Sequence, residues 1–149
     1  MKNIDVARSC STLGYIGFLP APGTCATLAT LPFVWLLGTY SWNMQLLIMA
    51  LLGILSYLSI AAALSTFAAK DPQQIVLDEV VGTCFAFFLI PFDWKHVLVV
   101  VILFRTLDIY KPFPIAWFDR LGGVWGIMLD DIVAGLLTNS LVRVLLWNI

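Results

Sequence analysis

The sequence predicts an all-α integral membrane protein, a helical bundle with about four to five membrane segments, some of them short or broken. Of the 149 residues, 61% are hydrophobic and only 11% are charged. The mean hydropathy of +0.97 is too high for a soluble domain. Long apolar runs recur along the chain, with polar residues near their ends. No linker, low-complexity segment or internal repeat divides residues 1–149, which therefore form a single domain.

The first two segments differ in regularity. Residues 13–37 are long enough to cross a bilayer, but Pro22 and Gly23 interrupt their first part, since proline removes a backbone donor and glycine favours turns. We therefore expect a loop or half-helix followed by a regular helix over residues 24–37. The second segment, residues 44–69, is apolar and uncharged, and it is the clearest membrane span.

The last three segments carry charged residues. The third, residues 75–92, begins with an acidic pair, and the fourth, residues 97–110, contains Arg105 and Asp108. Two prolines in the following sequence KPFP prevent the fourth helix from continuing. The fifth segment, residues 124–147, carries a second acidic pair about two turns from its start. Each of these three segments must therefore place charged side chains at or inside a membrane boundary.

Basic residues predict the orientation, because cytoplasmic loops of membrane proteins are enriched in Lys and Arg. With five crossings and a cytoplasmic N-terminus, five basic residues lie on the inner side and two on the outer side. The inner ones are Lys2, Arg8, Lys70, Lys111 and Arg120, and the outer ones are Lys95 and Arg143. We therefore expect a cytoplasmic N-terminus, an outer C-terminus, and polar segment ends at the cytoplasmic face.

Five carboxylates should meet near the cytoplasmic headgroups. They are Asp78, Glu79, Asp108, Asp130 and Asp131. A charge at the bilayer centre costs about 2.5 to 3.5 kcal/mol on insertion scales, so these side chains should face one another or a cation. Crowded like charges recruit a divalent ion or shift their pKa values, and oxygen ligands without a His or Cys set favour Mg²⁺. The alternative is an ion-pair network that only holds the helices together.

Two cations and one turn suggest a phosphate site beside these acids. Arg105 offers a planar fork of donors and Lys111 a point charge, although Lys111 could instead serve only as a membrane-surface anchor. The spacing of Arg105, Asp108 and Lys111 at i, i+3 and i+6 places Asp108 between the two cations on one helix face. The sequence PGT at residues 22–24 could start a helix whose free amides, with Thr24, face an anion. Read as a bare turn, the same sequence needs no ligand.

Four sequence blocks resemble, in order and content, the signature blocks of the phosphatidylglycerophosphatase A family of bacterial membrane phosphatases. The blocks are GFLPAPGTCATLATLP, DPQQIVLDEVVG, FRTLDIYKPFPIAWFD and GGVWGIMLDDIVAG, within residues 14–135. The resemblance implies Mg²⁺-dependent hydrolysis of phosphatidylglycerophosphate to phosphatidylglycerol and phosphate. It also implies a multi-pass protein of the cytoplasmic (inner) membrane. The polar positions it carries over are Thr24, Asp71, Asp78, Glu79, Arg105, Asp108, Lys111, Asp119, Asp130 and Asp131.

Each residue then has an expected role on the cytoplasmic side of the membrane. Mg²⁺ held by the five carboxylates would polarise a phosphoryl group and lower the pKa of a bound water, while Arg105 and Lys111 neutralise the phosphoryl oxygens. The expected catalytic residues are Asp78, Asp108, Asp130 and Asp131. We expect water to attack phosphorus directly, and a covalent aspartyl intermediate is the open alternative. His96 is the single histidine, which excludes a two-histidine phosphatase mechanism, and we expect it to be an ordinary loop residue at the outer membrane face.

Other functions and partners can be compared with this one. A small cation or proton transporter or channel subunit would also carry intramembrane carboxylates, but it should place polar groups across the whole membrane, and the outer segment ends are apolar. A purely structural membrane subunit is a third alternative. The eight basic residues are scattered, so nucleic acid is not an expected partner. We expect contact with the lipid substrate and membrane lipid, and an oligomer stays open.

Overall fold

The computed structural model describes residues 2–69 and 72–146, and within those ranges it contains seven α-helices, one 3-10 turn and no β-strand. The helices are α1 (Lys2–Ser11), α2 (Pro22–Leu37), α3 (Trp42–Leu64), α4 (Leu77–Phe87), α5 (Trp94–Tyr110), α6 (Ile115–Asp119) and α7 (Gly123–Leu146). The prediction of an all-α fold is confirmed for this part of the chain. Helices α1 and α6 lie outside the predicted segments.

Helix α2 begins close to the predicted position. Pro22 occupies its first turn, where the missing backbone N–H costs nothing because that group has no partner inside the helix. Ala21 precedes the helix with a φ of 53° and provides no side-chain cap. The first amides of α2 are therefore left without a capping side chain at the point where the helix starts.

Helix α4 is shorter than the predicted third segment, residues 75–92. It ends at Phe87 after 11 residues, a length of roughly 17 Å, which is less than a bilayer core of about 30 Å. Side chains from α7 satisfy the end of the helix, because the amide of Asn139 and the guanidinium of Arg143 each donate to the carbonyl of Phe88 at 2.8 Å. The sequence periodicity did not reveal this cap.

The remaining three segments agree more closely with the prediction. Helix α3 ends at Leu64, five residues before the predicted end of its segment. Helix α5 begins at Trp94 because the side chain of Asp93 accepts hydrogen bonds from the backbone amides of Lys95 and His96. Helix α7 covers the predicted fifth segment to within one residue at each end.

Helix α3 is the membrane-capable helix within the described ranges. It has 23 residues and a mean hydropathy of 2.3 in its most apolar window, of which 22% is buried. Its exposed face includes Leu47, Leu51 and Leu55, all more than half exposed. Helix α2 is apolar but shorter. The count of four to five membrane segments therefore stays a prediction.

Helices α4 and α7 form the most extensive contact between elements and position the acidic pairs. A Cβ atom on Gly135 would lie 2.3 Å from the carbonyl oxygen of Gly82, and one on Gly82 would lie 2.8 Å from the carbonyl oxygen of Asp131. Phe104 of α5 is fully buried against the same crossing. The glycines thus permit a close approach of the two helix faces that carry the acidic pairs.

Candidate active site

A single cavity of about 450 Å³ is lined by all eight residues predicted for the site. These residues are Thr24, Asp78, Glu79, Arg105, Asp108, Lys111, Asp130 and Asp131. They come from the start of α2, the first turn of α4, the end of α5 and the second turn of α7. The structure therefore brings together residues that lie more than one hundred positions apart, and their roles stay predictions.

The carboxylates form two overlapping groups. In the first, one ligand oxygen each from Asp78, Glu79 and Asp131 lie within 4.8 Å of one another. In the second, the same holds for Asp108, Asp130 and Asp131. Oxygens that coordinate one Mg²⁺ at about 2.1 Å lie within about 4.2 Å of each other. Small side-chain rotations would therefore allow either group to coordinate an ion.

Three oxygens of the first group lack a hydrogen-bond partner within the described residues. They are Oδ1 of Asp78, Oε2 of Glu79 and Oδ2 of Asp131. Asp131 is only 3% exposed, so water does not compensate its charge. A buried carboxylate without a partner is unfavourable. A divalent cation would compensate these oxygens. Their lack of a partner supports a cation site independently of the distances between the carboxylates.

Arg105 pairs with carboxylates on two helices. Its Nη1 donates to Oδ2 of Asp108 at 2.6 Å and lies 3.9 Å from Oε1 of Glu79. Its Nε is buried and has no hydrogen-bond partner among the described residues. The predicted placement of Asp108 beside Arg105 on one face of α5 is thus present, and the buried Nε–H of the guanidinium is unused.

Gly23 is a site residue that the sequence analysis did not single out. A Cβ atom at this position would lie 2.2 Å from Oε1 of Glu79 and 2.7 Å from Nη2 of Arg105. Only a residue without a side chain lets the first turn of α2 approach this ion pair so closely. The available sequence signal is PGT, which predicts free backbone amides and Thr24 beside an anion but does not show why glycine is required.

Lys111 makes contacts different from those predicted. The spacing of Arg105, Asp108 and Lys111 placed Asp108 between two cations, but the Nζ of Lys111 donates instead to Asp119 at 2.5 Å and to Asp130 at 2.6 Å. The reason is that α5 ends at Tyr110 and Lys111 takes a left-handed backbone, with a φ of 44°. Its side chain therefore does not continue the helical face.

The carboxylate partners of Lys111 stabilise its charged form. Burial opposes the charged ammonium, but hydrogen bonds with Asp119 and Asp130 outweigh this effect and raise the pKa of Lys111 above its ordinary value. Asp119 had entered the sequence analysis only through the family resemblance. In the structure it holds Lys111 at the edge of the cavity.

Three further residues of the sequence analysis lie elsewhere. His96 belongs to the first turn of α5, not to a loop, and its ring contacts Asp93 at the end of α5 opposite to Arg105. It does not line the cavity. Lys70 and Asp71, which entered the orientation count and the family resemblance, lie outside the described residues.

Comparisons with known proteins agree on one family. The sequence model of Phosphatidylglycerophosphatase A matches residues 9–146. Phosphatidylglycerophosphatase A of Escherichia coli strain K12 is 38% identical over 125 residues, covering 80% of this chain and 71% of the relative. The Haemophilus influenzae strain Rd protein of the same name is 38% identical over 120 residues, covering 78% and 74%.

A third relative has a different name. A Bacteroides thetaiotaomicron protein, provisionally named as a phosphatidylinositol-3-phosphatase, is 32% identical over 149 residues, covering 89% of each chain. No solved structure matches the chain. All three relatives are therefore named as phosphatases of phosphorylated lipids.

Proposed function

The chain belongs to the phosphatidylglycerophosphatase A family and is a phosphatase, and from this premise we propose that it hydrolyses phosphatidylglycerophosphate to phosphatidylglycerol and phosphate, using Mg²⁺. The observation that carries the proposal is the cavity in which five carboxylates, two cations and an uncapped helix start converge. A phosphate monoester and a divalent ion are complementary to that combination of charges.

The carboxylates would hold Mg²⁺. Asp78, Glu79, Asp108, Asp130 and Asp131 provide hard oxygen donors, and no His or Cys lines the cavity within the described residues. A bound divalent ion supplies a Lewis acid for the phosphoryl oxygens and lowers the pKa of water. The three unpartnered oxygens support this choice, because a cation would compensate charges that the protein leaves unpaired.

Cations and helix amides that lie beside the carboxylates would hold the phosphate. Arg105 has an unused Nε–H, and the first turn of α2 has no side-chain cap, so its amides and Thr24 can face an anion. Lys111 adds a positive charge beside Asp130. These groups would orient the phosphorus atom toward the carboxylates and neutralise its oxygens.

In the proposed reaction, water attacks phosphorus and the bond from phosphorus to the glycerol oxygen breaks. A carboxylate of the cavity accepts the proton that the water loses and passes it to the leaving alkoxide, which gives phosphatidylglycerol, while the oxygen of the water stays on the released phosphate. Direct attack by water is our proposal over an aspartyl intermediate. A phosphorylated carboxylate trapped by acid quenching during turnover would refute it.

We place the protein in the bacterial cytoplasmic membrane, crossing it several times, with the cavity at the cytoplasmic face. The apolar exposed surface of α3 supports a membrane location. Lys111 at the cavity and Arg120 directly after α6 support the orientation. A lipid phosphate in the inner leaflet would lie at the depth of this cavity. The transporter alternative has no support from the comparisons, which name phosphatases.

The test is phosphate release by the purified full chain in detergent micelles. Phosphatidylglycerophosphate should be hydrolysed in the presence of Mg²⁺. Phosphatidylinositol 3-phosphate and free glycerol 3-phosphate, which are also phosphate monoesters, are tested separately as alternative substrates. Asp78→Asn, Asp108→Asn and Asp130→Asn should each abolish turnover in a folded protein, whereas Asp5→Asn in the exposed part of α1 should not. Full rates in all three cavity variants, or faster hydrolysis of the inositol lipid, would overturn the proposed function.

A further inference from the structure

We propose that the cavity binds two divalent ions that share Asp131 as a bridging ligand. This inference rests on the proposed function, because it specifies how the divalent ion of that proposal is held. The first metal position is defined by Asp78, Glu79 and Asp131, and the second metal position by Asp108, Asp130 and Asp131. Within the described residues, Asp131 is the single carboxylate that belongs to both positions.

Asp131 has the geometry and surroundings that a bridging ligand needs. A carboxylate has two oxygens and can therefore bind two ions at once. Asp131 lies on α7, opposite the first turn of α4 on one side and the end of α5 on the other. It is 3% exposed, and its Oδ2 has no hydrogen-bond partner among the described residues. Neither oxygen accepts a hydrogen bond from a protein cation there, so both are available to ions.

The two positions differ in the cations that the protein already provides. In the first metal position, Arg105 lies at the longer distance of 3.9 Å from Oε1 of Glu79, and three oxygens, one from each residue, have no partner. In the second metal position, Asp108 accepts from Arg105 at 2.6 Å and Asp130 accepts from Lys111 at 2.6 Å. An ion at the second position must compete with these side chains. The first position should therefore bind more tightly, and the second more weakly.

The competition gives Asp119 a function. Lys111 is shared between Asp119 and Asp130, so an ion that takes Asp130 leaves Lys111 held by Asp119 alone. The ammonium would then keep its place at the cavity edge and have a free N–H for a phosphate oxygen. Binding of the second ion would thus free Lys111 to donate a hydrogen bond to the phosphate of the substrate. Pairs of ions about 3.5 to 4 Å apart stabilise both the attacking and the leaving oxygen in phosphoryl transfer.

Manganese titration of the detergent-solubilised full chain tests the proposal, since carboxylate sites for Mg²⁺ accept Mn²⁺. Isothermal titration should show two Mn²⁺ per chain with unequal affinities. Electron paramagnetic resonance at low temperature should show an isolated ion at low occupancy and an exchange-coupled pair at full occupancy. One Mn²⁺ per chain, or two ions without coupling, would overturn the inference.

Variants assign the ligands. Asp108→Asn should lose the weak site and the coupling but keep the tight site, and Asp131→Asn should lose the coupling. Lys111→Met should tighten the weak site several-fold, because it removes the cation that competes for Asp130. Asp5→Asn should match the wild type. Coupling that survives in Asp131→Asn, or weaker second binding in Lys111→Met, would contradict the proposal.

Two controls keep the outcomes distinct. Circular dichroism and gel filtration establish that each variant is folded, and if Asp131→Asn does not fold, the wild-type coupling and Asp108→Asn still decide the question. Phosphate release is measured on the same samples. A chain that binds a coupled Mn²⁺ pair but does not hydrolyse phosphatidylglycerophosphate would refute the proposed substrate alone. An active chain with one Mn²⁺ would refute the bridge alone.

Discussion

Gly135 of α7 packs directly on Gly82 of α4, so closely that a Cβ atom on Gly135 would lie 2.3 Å from the carbonyl oxygen of Gly82. Asp131 and Asp78 each lie four residues before one of these glycines, on the same helix faces. The crossing therefore fixes how near the two acidic pairs come to each other. Small residues at this contact position the candidate metal ligands.

Gly135→Ala should lower both stability and activity. The added methyl group meets backbone, which cannot rotate away, so α4 and α7 must separate. Overpacking of this kind costs about 1 to 3 kcal/mol. Thermal unfolding in detergent and phosphate release would measure the two effects. Gly53→Ala on α3 is the matched control, because its Cβ would meet no atom within 4 Å. Equal stability and equal activity of the two variants would show that the contact between α4 and α7 does not position the acidic pairs.

Gly23→Ala should reduce activity with little loss of stability. The new Cβ meets Glu79 and Arg105 only at the ends of their flexible side chains, so these groups can move aside. Displacement of Glu79 should disturb the metal site, and displacement of Arg105 should disturb phosphate binding. We therefore expect the rate of phosphate release to fall about tenfold or more. Kinetics and thermal unfolding, with Gly53→Ala as reference, would separate the effects. An unchanged rate would show that the close approach of α2 is not used.

Arg105→Lys should lower the rate roughly a hundredfold, because a lysine keeps the charge but loses the planar fork and its unused Nε–H. The matched control is Arg120→Lys, at an exposed position after α6. Steady-state phosphate release at several lipid concentrations would show whether kcat or KM carries the loss. Full activity of Arg105→Lys would remove Arg105 from the phosphate site.

Asp119→Asn should weaken substrate binding without abolishing turnover. Lys111 would lose one charged partner but keep Asp130, so it would be held less firmly at the cavity edge. We expect KM to rise several-fold and kcat to change less. Asp130→Asn, measured beside it, should abolish turnover, because Asp130 is also a candidate metal ligand. Equal losses in the two variants would contradict the separate role of Asp119.

The sequence predicted the convergence of the carboxylates because the acids stand at the ends of apolar segments, where burial in lipid is excluded. It did not predict that α4 ends at Phe87, because the cap comes from Asn139 and Arg143, more than fifty residues away. A contact of that separation leaves no local pattern.

The contacts of Lys111 were missed for a related reason. Spacing along a helix predicts neighbours only while the helix continues, and Lys111 is the first residue beyond α5. Its left-handed backbone and its pairing with Asp119 depend on how α6 and α7 follow. Gly23 was likewise visible as a turn residue, but only the positions of Glu79 and Arg105 show why a side chain does not fit there.

The central claim is that the carboxylate cavity holds a divalent ion needed for hydrolysis. It is tested most directly by phosphate release from phosphatidylglycerophosphate in Mg²⁺, after addition of a chelator, and after restoration with excess Mg²⁺. We predict hydrolysis in the first state, loss in the second and recovery in the third, with no hydrolysis by Asp131→Asn in any of them. A wild-type rate that is unchanged by the chelator would contradict the claim.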